Sequence, residues 1–380
     1  MISIQHIFSM TYNLGDRLIF DSIHHLIRSH VIENYQLFPQ NGNTSPLWQS
    51  FHGLTAETRN IFGKPDLIIF GGQPVIGKGR DYLNIEISPS YFEEIPAFMF
   101  GVGARTDYSK DPPDDDYLSF AREYFPKFRG ISARDKETFE LLSEFNSNVY
   151  FTGDPAMFRF LKPICFRNDA KFISIFFRGN LLDGPPIPNT FWISLVSALK
   201  KEFDKRVLIL VNDFRELERV RQISEIAGCD FIGVPNYEWY IPYLENSCMI
   251  LGFRYHGCIL AGTLGIPFLH ISTDWRGESF IRSFDKKRNF SLNLHALKAP
   301  EKPRSYLEKA FDFVGMNVKP KSSVLEGSYL ALTEEIRDKC VSILSRKENV
   351  FEEYESEVKA RYTIMKQFLA QIRNAVSNRL

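Results

Sequence analysis

The sequence predicts an α/β protein made of two doubly wound parallel sheets, each covered by helices on both faces. Three observations predict it. Short apolar runs without polar alternation, the pattern of strands buried on both faces, alternate with amphipathic helical stretches. That alternation runs through the chain twice, and 380 residues suffice for two ordinary domains.

In the first half, ISIQHIFS reads as a strand and GDRLIFDSIHHLIRSH as a helix with Leu18, Ile19, Ile23, Leu26 and Ile27 on one face. Asp66 to Phe70 and Ala97 to Phe100 are buried-type strands, each stopped by glycine. RGISA (strand), RDKETFELLSEF (helix) and NVYFTG (strand) complete this half, which spans 1–160. A segment bearing proline and charge, Arg159 to Ala170, leads into the second half, 161–350. Its strands are KFISIFF, RVLILV, CDFIGV, CMILGF and PFLHIS, with helices NTFWISLVSALKKEF and FRELERVRQISEIAG between them. In 351–380, Val358, Tyr362, Met365, Leu369, Ile372 and Val376 recur at three- and four-residue spacing, so one long amphipathic helix is expected to pack across both domains.

Composition excludes several classes. The formal net charge is +0, so no global field draws the chain to nucleic acid or to an acidic membrane. An anionic ligand then needs a local cluster of cations. Five scattered cysteines without CxxC spacing argue against a disulfide framework and a zinc site, and favour a reducing compartment. The start MISIQHIFSM lacks a signal-peptide pattern, and no apolar run approaches the ~20 residues of a membrane span. A cytoplasmic protein is expected. HExxH, aspartate-rich and GxSxG motifs are absent, so no protein-held metal and no serine nucleophile are expected.

The candidate chemistry lies at strand ends, beside helix N-termini, where parallel sheets bind ligands. Gly252-Phe253-Arg254-Tyr255-His256-Gly257 ends the fourth strand of the second half with a permanent cation and a group that exchanges a proton near pH 7. Read alone, Arg254 and His256 fit a helix cap as well as a site. Tyr12-Asn13-Leu14-Gly15-Asp16 opens the first helix, where Asp16 either caps or grips a sugar hydroxyl. Ile131-Ser132-Ala133-Arg134-Asp135 sets Arg134 at another junction, paired with Asp135 or facing the crevice. Phe177-Arg178-Gly179 repeats a strand-end arginine. Gly71-Gly72 and Gly101-Val102-Gly103 match no dinucleotide fingerprint, and Thr152-Gly153-Asp154-Pro155 reads first as a turn.

Taken in order, NLGD, glycine after a strand, GVGA, ISARD, GDP and RYHGCILAGTLGIP resemble the polysaccharide pyruvyl transferase family, from about residue 10 to about residue 275. The resemblance implies the two-Rossmann-domain fold of GT-B glycosyltransferases, with the site in the central cleft. It implies transfer of the pyruvyl group of phosphoenolpyruvate onto a sugar of a surface polysaccharide (exopolysaccharide or capsule) or of its lipid-linked precursor, forming a ketal and releasing phosphate. Phosphoenolpyruvate is then a co-substrate, with no cofactor and no nucleic acid. A lipid-linked acceptor would bring the protein to the inner face of the membrane. His256 is the implied acid, with Asp16 on the acceptor hydroxyl. Arg134 and Arg254, with Tyr255 and Arg178, form the donor side; Asn13, Asp16 and Gly72 form the acceptor side. Gln73 stands where a third glycine is common and Tyr12 where a glycine is common, which bears on acceptor recognition. The alternatives are a nucleotide-sugar glycosyltransferase, with Glu278 on a ribose, and a silent glycan-binding protein.

Overall fold

Apolar strands need cover on both faces, and the computed structural model supplies it, among the described residues, with two parallel sheets and 11 helices. The structure describes residues 2–8, 14–41, 64–72, 74–76, 91–104, 112–180, 186–233, 236–294, 322–346 and 350–379. In the first half β1 (Ile2–Phe8) precedes α1 (Leu14–His30), followed by β2 (Tyr35–Asn41), β3 (Leu67–Gly71) and β4 (Pro74–Ile76). Then come α2 (Tyr91–Glu94), β5 (Ala97–Ala104), α3 (Asp115–Tyr124), β6 (Gly130–Ala133), α4 (Lys136–Ser143) and β7 (Val149–Phe151). The six main strands lie in the order β2-β1-β3-β5-β6-β7, with β4 against β5.

The second half comprises β8 (Phe172–Phe176), α5 (Asn189–Phe203), β9 (Arg206–Val211), α6 (Leu217–Ala227), β10 (Asp230–Gly233), α7 (Ile241–Leu244) and β11 (Ser247–Gly252). It continues with α8 (Tyr255–Thr263), β12 (Phe268–Ser272), α9 (Trp275–Phe284), β13 (Ser291–Asn293) and α10 (Ser322–Arg346). Its sheet runs β10-β9-β8-β11-β12-β13. Counted within the half, this is the order 3-2-1-4-5-6, whose direction reverses between β8 and β11; a crevice opens there at the carboxyl ends of the strands.

The expected strands all form. β2, β4, β13 and the helices α2, α3, α7, α9 and α10 were not among the expectations. β2 and β13 are edge strands, and β2 carries Pro39, which an edge tolerates and which hides a strand in the sequence. α10 does carry a period: Leu332, Ile336, Cys340 and Ile343 are buried, and the helix packs on α5. The five cysteines are unpaired. Among the described residues, no helix is long and apolar enough to cross a membrane.

Two elements join the halves. The long helix α11 (Glu352–Ser377) touches β6 and β7 on one side and α1 and α9 on others. Phe368 meets the rings of Phe98, Phe100 and Tyr150 at 5.1–6.0 Å. One apolar cluster therefore runs from Ile4 and Leu67 through Phe158 and Phe368 to Ile175 and Leu251, while Phe70, Phe92, Phe120 and Phe128 fill the other face of the first sheet. The second joining element is α8, whose nine residues are all buried. It has no polar face, so it must be surrounded.

Phe368 has no exposed surface, and Phe368→Ala is expected to cost about 3–5 kcal/mol of stability by removing a ring from a full core. Denaturant unfolding measures this; a loss below about 1 kcal/mol would contradict the seating of α11 on the first sheet.

Candidate active site

Both sheets turn their carboxyl edges toward α8 and the start of α1, because parallel strands deliver all their following turns to one side. Arg178 follows β8, and Arg254 follows β11, so these residues flank the crevice where the strand order reverses. Arg254 Nε donates to the Phe177 carbonyl at 2.9 Å and Nη2 to Glu216 at 2.5 Å. Arg178 Nη1 donates to Asp274 at 2.8 Å and to the Thr273 hydroxyl at 2.9 Å, while Nε donates to the Asn180 carbonyl. Arg276 reaches the same Asp274 oxygen at 2.7 Å. Asp274 also caps α9 by accepting from Gly277 N–H.

The electrostatics follow from this crowding. Burial would raise the Asp274 carboxyl, but Arg276 and Arg178 outweigh it and hold it far below the usual carboxylate range. Burial first, and then repulsion from Arg276 and Arg254, works against the charge on Arg178, with Asp274 opposing. Arg276 keeps its charge chiefly through Asp274, with a smaller share from Asp16 across the cleft. Asp16 thus stands within electrostatic reach of the second half. It lies in the first turn of α1 rather than before it.

A second cluster lies where the halves meet. The Leu14 N–H donates to the Asn212 carbonyl at 3.4 Å, which brings the N-terminus of α1 onto the second half. A Cβ on Gly15 would stand 2.1 Å from His256 Nδ1, so glycine is what permits this contact. On the far side of the ring, His256 Nε2 faces Asp154 Oδ2 at 3.6 Å. Asp154, fully buried, caps the turn Pro155–Phe158 by accepting from Ala156 N–H at 2.9 Å. Burial would raise its carboxyl, yet His256 and Arg134 together hold it below the ordinary value. The Tyr255 hydroxyl is pushed well above its usual range by burial and then by Asp154.

Arg134 is 5% exposed and lies along β5, where a Cβ on Gly103 would meet its Nε at 2.2 Å. Its Nε is 4.0 Å from Asp135, which caps α4 and is raised by burial against the pull of Arg134. Of the expected pairing with Asp135, only this long contact forms. Arg134 Nη2, Asp154 Oδ2 and His256 Nε2 are all buried and lack hydrogen-bond partners among the described residues. Two of these atoms, Asp154 Oδ2 and His256 Nε2, face each other at 3.6 Å, just beyond hydrogen-bond range. A small cleft of about 10 Å³ adjoins them, lined by Arg134, Tyr255, Trp275 and Arg276 among others.

The structure therefore brings His256, Arg134, Tyr255 and Asp16 to the junction, and Arg254 and Arg178 to the adjoining crevice. Gly72 has φ +77°, and a Cβ there would meet Ile19 of α1 at 2.8 Å, so packing and turn geometry account for this glycine. Asn13, Tyr12 and Gln73 lie outside the described residues. Glu278 accepts from Asn293 at 3.2 Å and faces Arg282 at 3.8 Å. The sequence reading left out Glu216, Asp274 and Arg276 as holding or cationic groups, and treated Asp154 first as a turn. Asp274 had a legible signal, since Asp three residues before Gly277 is an N-cap spacing; Glu216 had none.

Among solved structures, a Listeria monocytogenes protein described as a UDP-N-acetylglucosamine 2-epimerase is similar at TM-score 0.51 and 12% identity, covering 96% of this chain and 95% of that one. The Neisseria meningitidis UDP-GlcNAc 2-epimerase gives TM-score 0.48 at 14% identity over 96% and 100% of the two chains, and the calicheamicin glycosyltransferase CalG4 gives 0.42 at 10% over 95% and 98%. At such identities the likeness concerns the two-domain GT-B fold alone. No curated protein matches the chain. A sequence model of the polysaccharide pyruvyl transferases does match, over residues 13–274. That span takes in both walls of the cleft, from the start of α1 to the aspartate that joins Arg178 and Arg276, and the chain belongs to the polysaccharide pyruvyl transferase family.

Proposed function

We propose that the protein transfers the pyruvyl group of phosphoenolpyruvate to a sugar of a surface polysaccharide or its lipid-linked precursor. The observation that carries this reading is the convergence of the unbonded Arg134 Nη2 and the facing pair Asp154 and His256 beside arginines already aligned by carboxylates. A neutral chain has concentrated cations in one crevice, as a carboxylate-phosphate donor requires. Arg254 and Arg178 are held by Glu216 and Asp274, so little ordering is left to do when the anion arrives.

In this reading His256 gives a proton to the methylene carbon of phosphoenolpyruvate, which makes C2 electrophilic. A sugar hydroxyl adds to C2 and yields its proton to Asp16. The C2–O bond to phosphate breaks and inorganic phosphate leaves. A second hydroxyl of the same sugar then adds to C2, gives its proton to the now neutral His256 and closes the ketal. Asp154 positions the imidazole by offering an acceptor to Nε2, and the arginines stabilise charge on the departing phosphate. The 3-2-1-4-5-6 order of the second sheet, shared with dinucleotide-binding folds, favours a nucleotide-sugar glycosyltransferase as the second reading. The leaving group separates them: inorganic phosphate against a nucleoside diphosphate. A silent glycan binder would release neither.

Incubation with phosphoenolpyruvate and a panel of glycans should give phosphate and a pyruvyl ketal detectable by mass spectrometry. His256→Ala is expected to slow phosphate release by about 10²–10⁴, and undiminished turnover would remove His256 from the mechanism. Arg254→Lys should raise KM for phosphoenolpyruvate more than KM for the acceptor, because a forked donor becomes a point charge; equal changes would contradict the assignment. Gly15→Ala supplies a better helix former but drives a methyl into the imidazole. The variant should stay folded and lose at least about tenfold in kcat, and wild-type kcat would overturn the contact as a positioning device.

A further inference from the structure

The cleft beside Arg134 is shut. Its space of about 10 Å³ holds about one water molecule, which needs ~10–15 Å³ on the same measure. Neither phosphoenolpyruvate nor a sugar ring fits there. The groups assigned to the chemistry are shut in as well: Arg134 is 5% exposed, His256 7% and Asp154 0%. A ligand reaches them only if a contact between the two halves gives way.

Two kinds of contact join the halves. α8 and α11 do so through buried apolar packing, with Tyr354 and Phe368 inside the core. Parting them would expose hydrocarbon to water. The other contact is polar and lies where α4 of the first half meets α9 of the second. Ser279 Oγ donates to one oxygen of Glu137 at 2.8 Å, and Arg282 Nη1 donates to the other at 3.4 Å. Arg282 also stands 3.8 Å from Glu278 and lies over the Trp275 ring at 4.7 Å, so its own helix holds the guanidinium in place.

Exposure orders these residues from solvent to cleft. The Arg282 side chain is 54% exposed and that of Glu137 20%, while Ser279 is buried and lines the cleft with Arg134. Both helices begin at the site. Glu137 lies in the first turn of α4, shortly after Arg134, and α9 opens with the cleft residues Trp275 and Arg276. A half-exposed ion pair is screened and weak, so this contact yields before the apolar joints do.

We infer that Glu137, Ser279 and Arg282 form a clasp that gates the cleft, parting to admit the donor and re-forming behind it. Closed, it holds Arg134 and Arg276 on facing walls and keeps bulk water from the reacting atoms. This rests on the pyruvyl-transfer reading for the identity of the donor, although the clasp is testable without it.

The test compares wild type with Glu137→Ala and Arg282→Ala, one from each side of the seam. Both side chains are partly exposed, so the variants should keep the fold. The free chain is treated with diethyl pyrocarbonate, a small reagent for neutral imidazole, and peptide mass spectrometry follows His256 and His270. His270 is 1% exposed within the second sheet and reports unfolding rather than opening. The expected result is His256 modification about two- to fivefold faster in both variants, the population shift a weak ion pair sets, with His270 still protected. Equal His256 rates in all three proteins, or parallel acceleration at His270, would overturn the gate. Stopped-flow binding of phosphoenolpyruvate should show association accelerated by a similar factor, a change that damaged structure would not produce. Equal or slower association in both variants would also overturn the proposal. If wild type binds no phosphoenolpyruvate, the pyruvyl-transfer reading fails, while His256 modification still reports on the clasp.

Discussion

Everything at the site depends on the close packing of one helix that has no polar face. Tyr255–Thr263 is buried on every side, and small residues let its neighbours approach. A Cβ on Gly257 would stand 2.5 Å from the Phe176 ring, and one on Gly262 would stand 2.1 Å from the Tyr354 hydroxyl. The second sheet and the C-terminal helix are thus drawn onto the same short element. Its first turn carries His256, and Arg254 precedes it, so the packing that fixes the helix also fixes the chemistry. Interiors are packed like crystals and transmit small displacements, which makes the Gly15–His256 contact sensitive to a single methyl.

Around that helix the protein handles cations in pairs. Leaving a guanidinium buried and unpaired is costly, and each crevice arginine has a carboxylate within reach: Glu216 for Arg254, Asp274 for Arg178 and Arg276, Asp135 for Arg134. These pairs hold the guanidinium forks in place before any ligand binds. The exception is local. Arg134 Nη2 makes no hydrogen bond among the described residues, and Asp154 Oδ2 and His256 Nε2 face each other at 3.6 Å from the two halves.

Much of this was legible in the chain. The repeated alternation of apolar run and helix, with glycine or arginine at the strand ends, determined the two doubly wound halves, and the period in 351–380 determined the last helix. These are local signals, set by whether a segment buries two faces, one stripe or none. Of the four edge strands, β7 and β10 were legible as apolar runs, while β2 and β13 escaped, and Pro39 in β2 shows how an edge does without such a run. The strand-end residues Arg134, Arg178, Arg254 and His256 were also marked, since parallel sheets send their turns to one edge.

Tertiary structure alone decided which of them meet. Asp154 looks like a turn until the fold brings it opposite His256, and Glu216 looks like the entry to a helix until Arg254 reaches it. Gly15 reads as a tight turn, yet its role is to leave room for an imidazole from the other half. Such pairings join segments far apart in the chain, and no periodicity records them. They depend on how two sheets and one buried helix settle against each other, so the sequence by itself determined the elements and the edge that carries chemistry, and only the packing decided the partners.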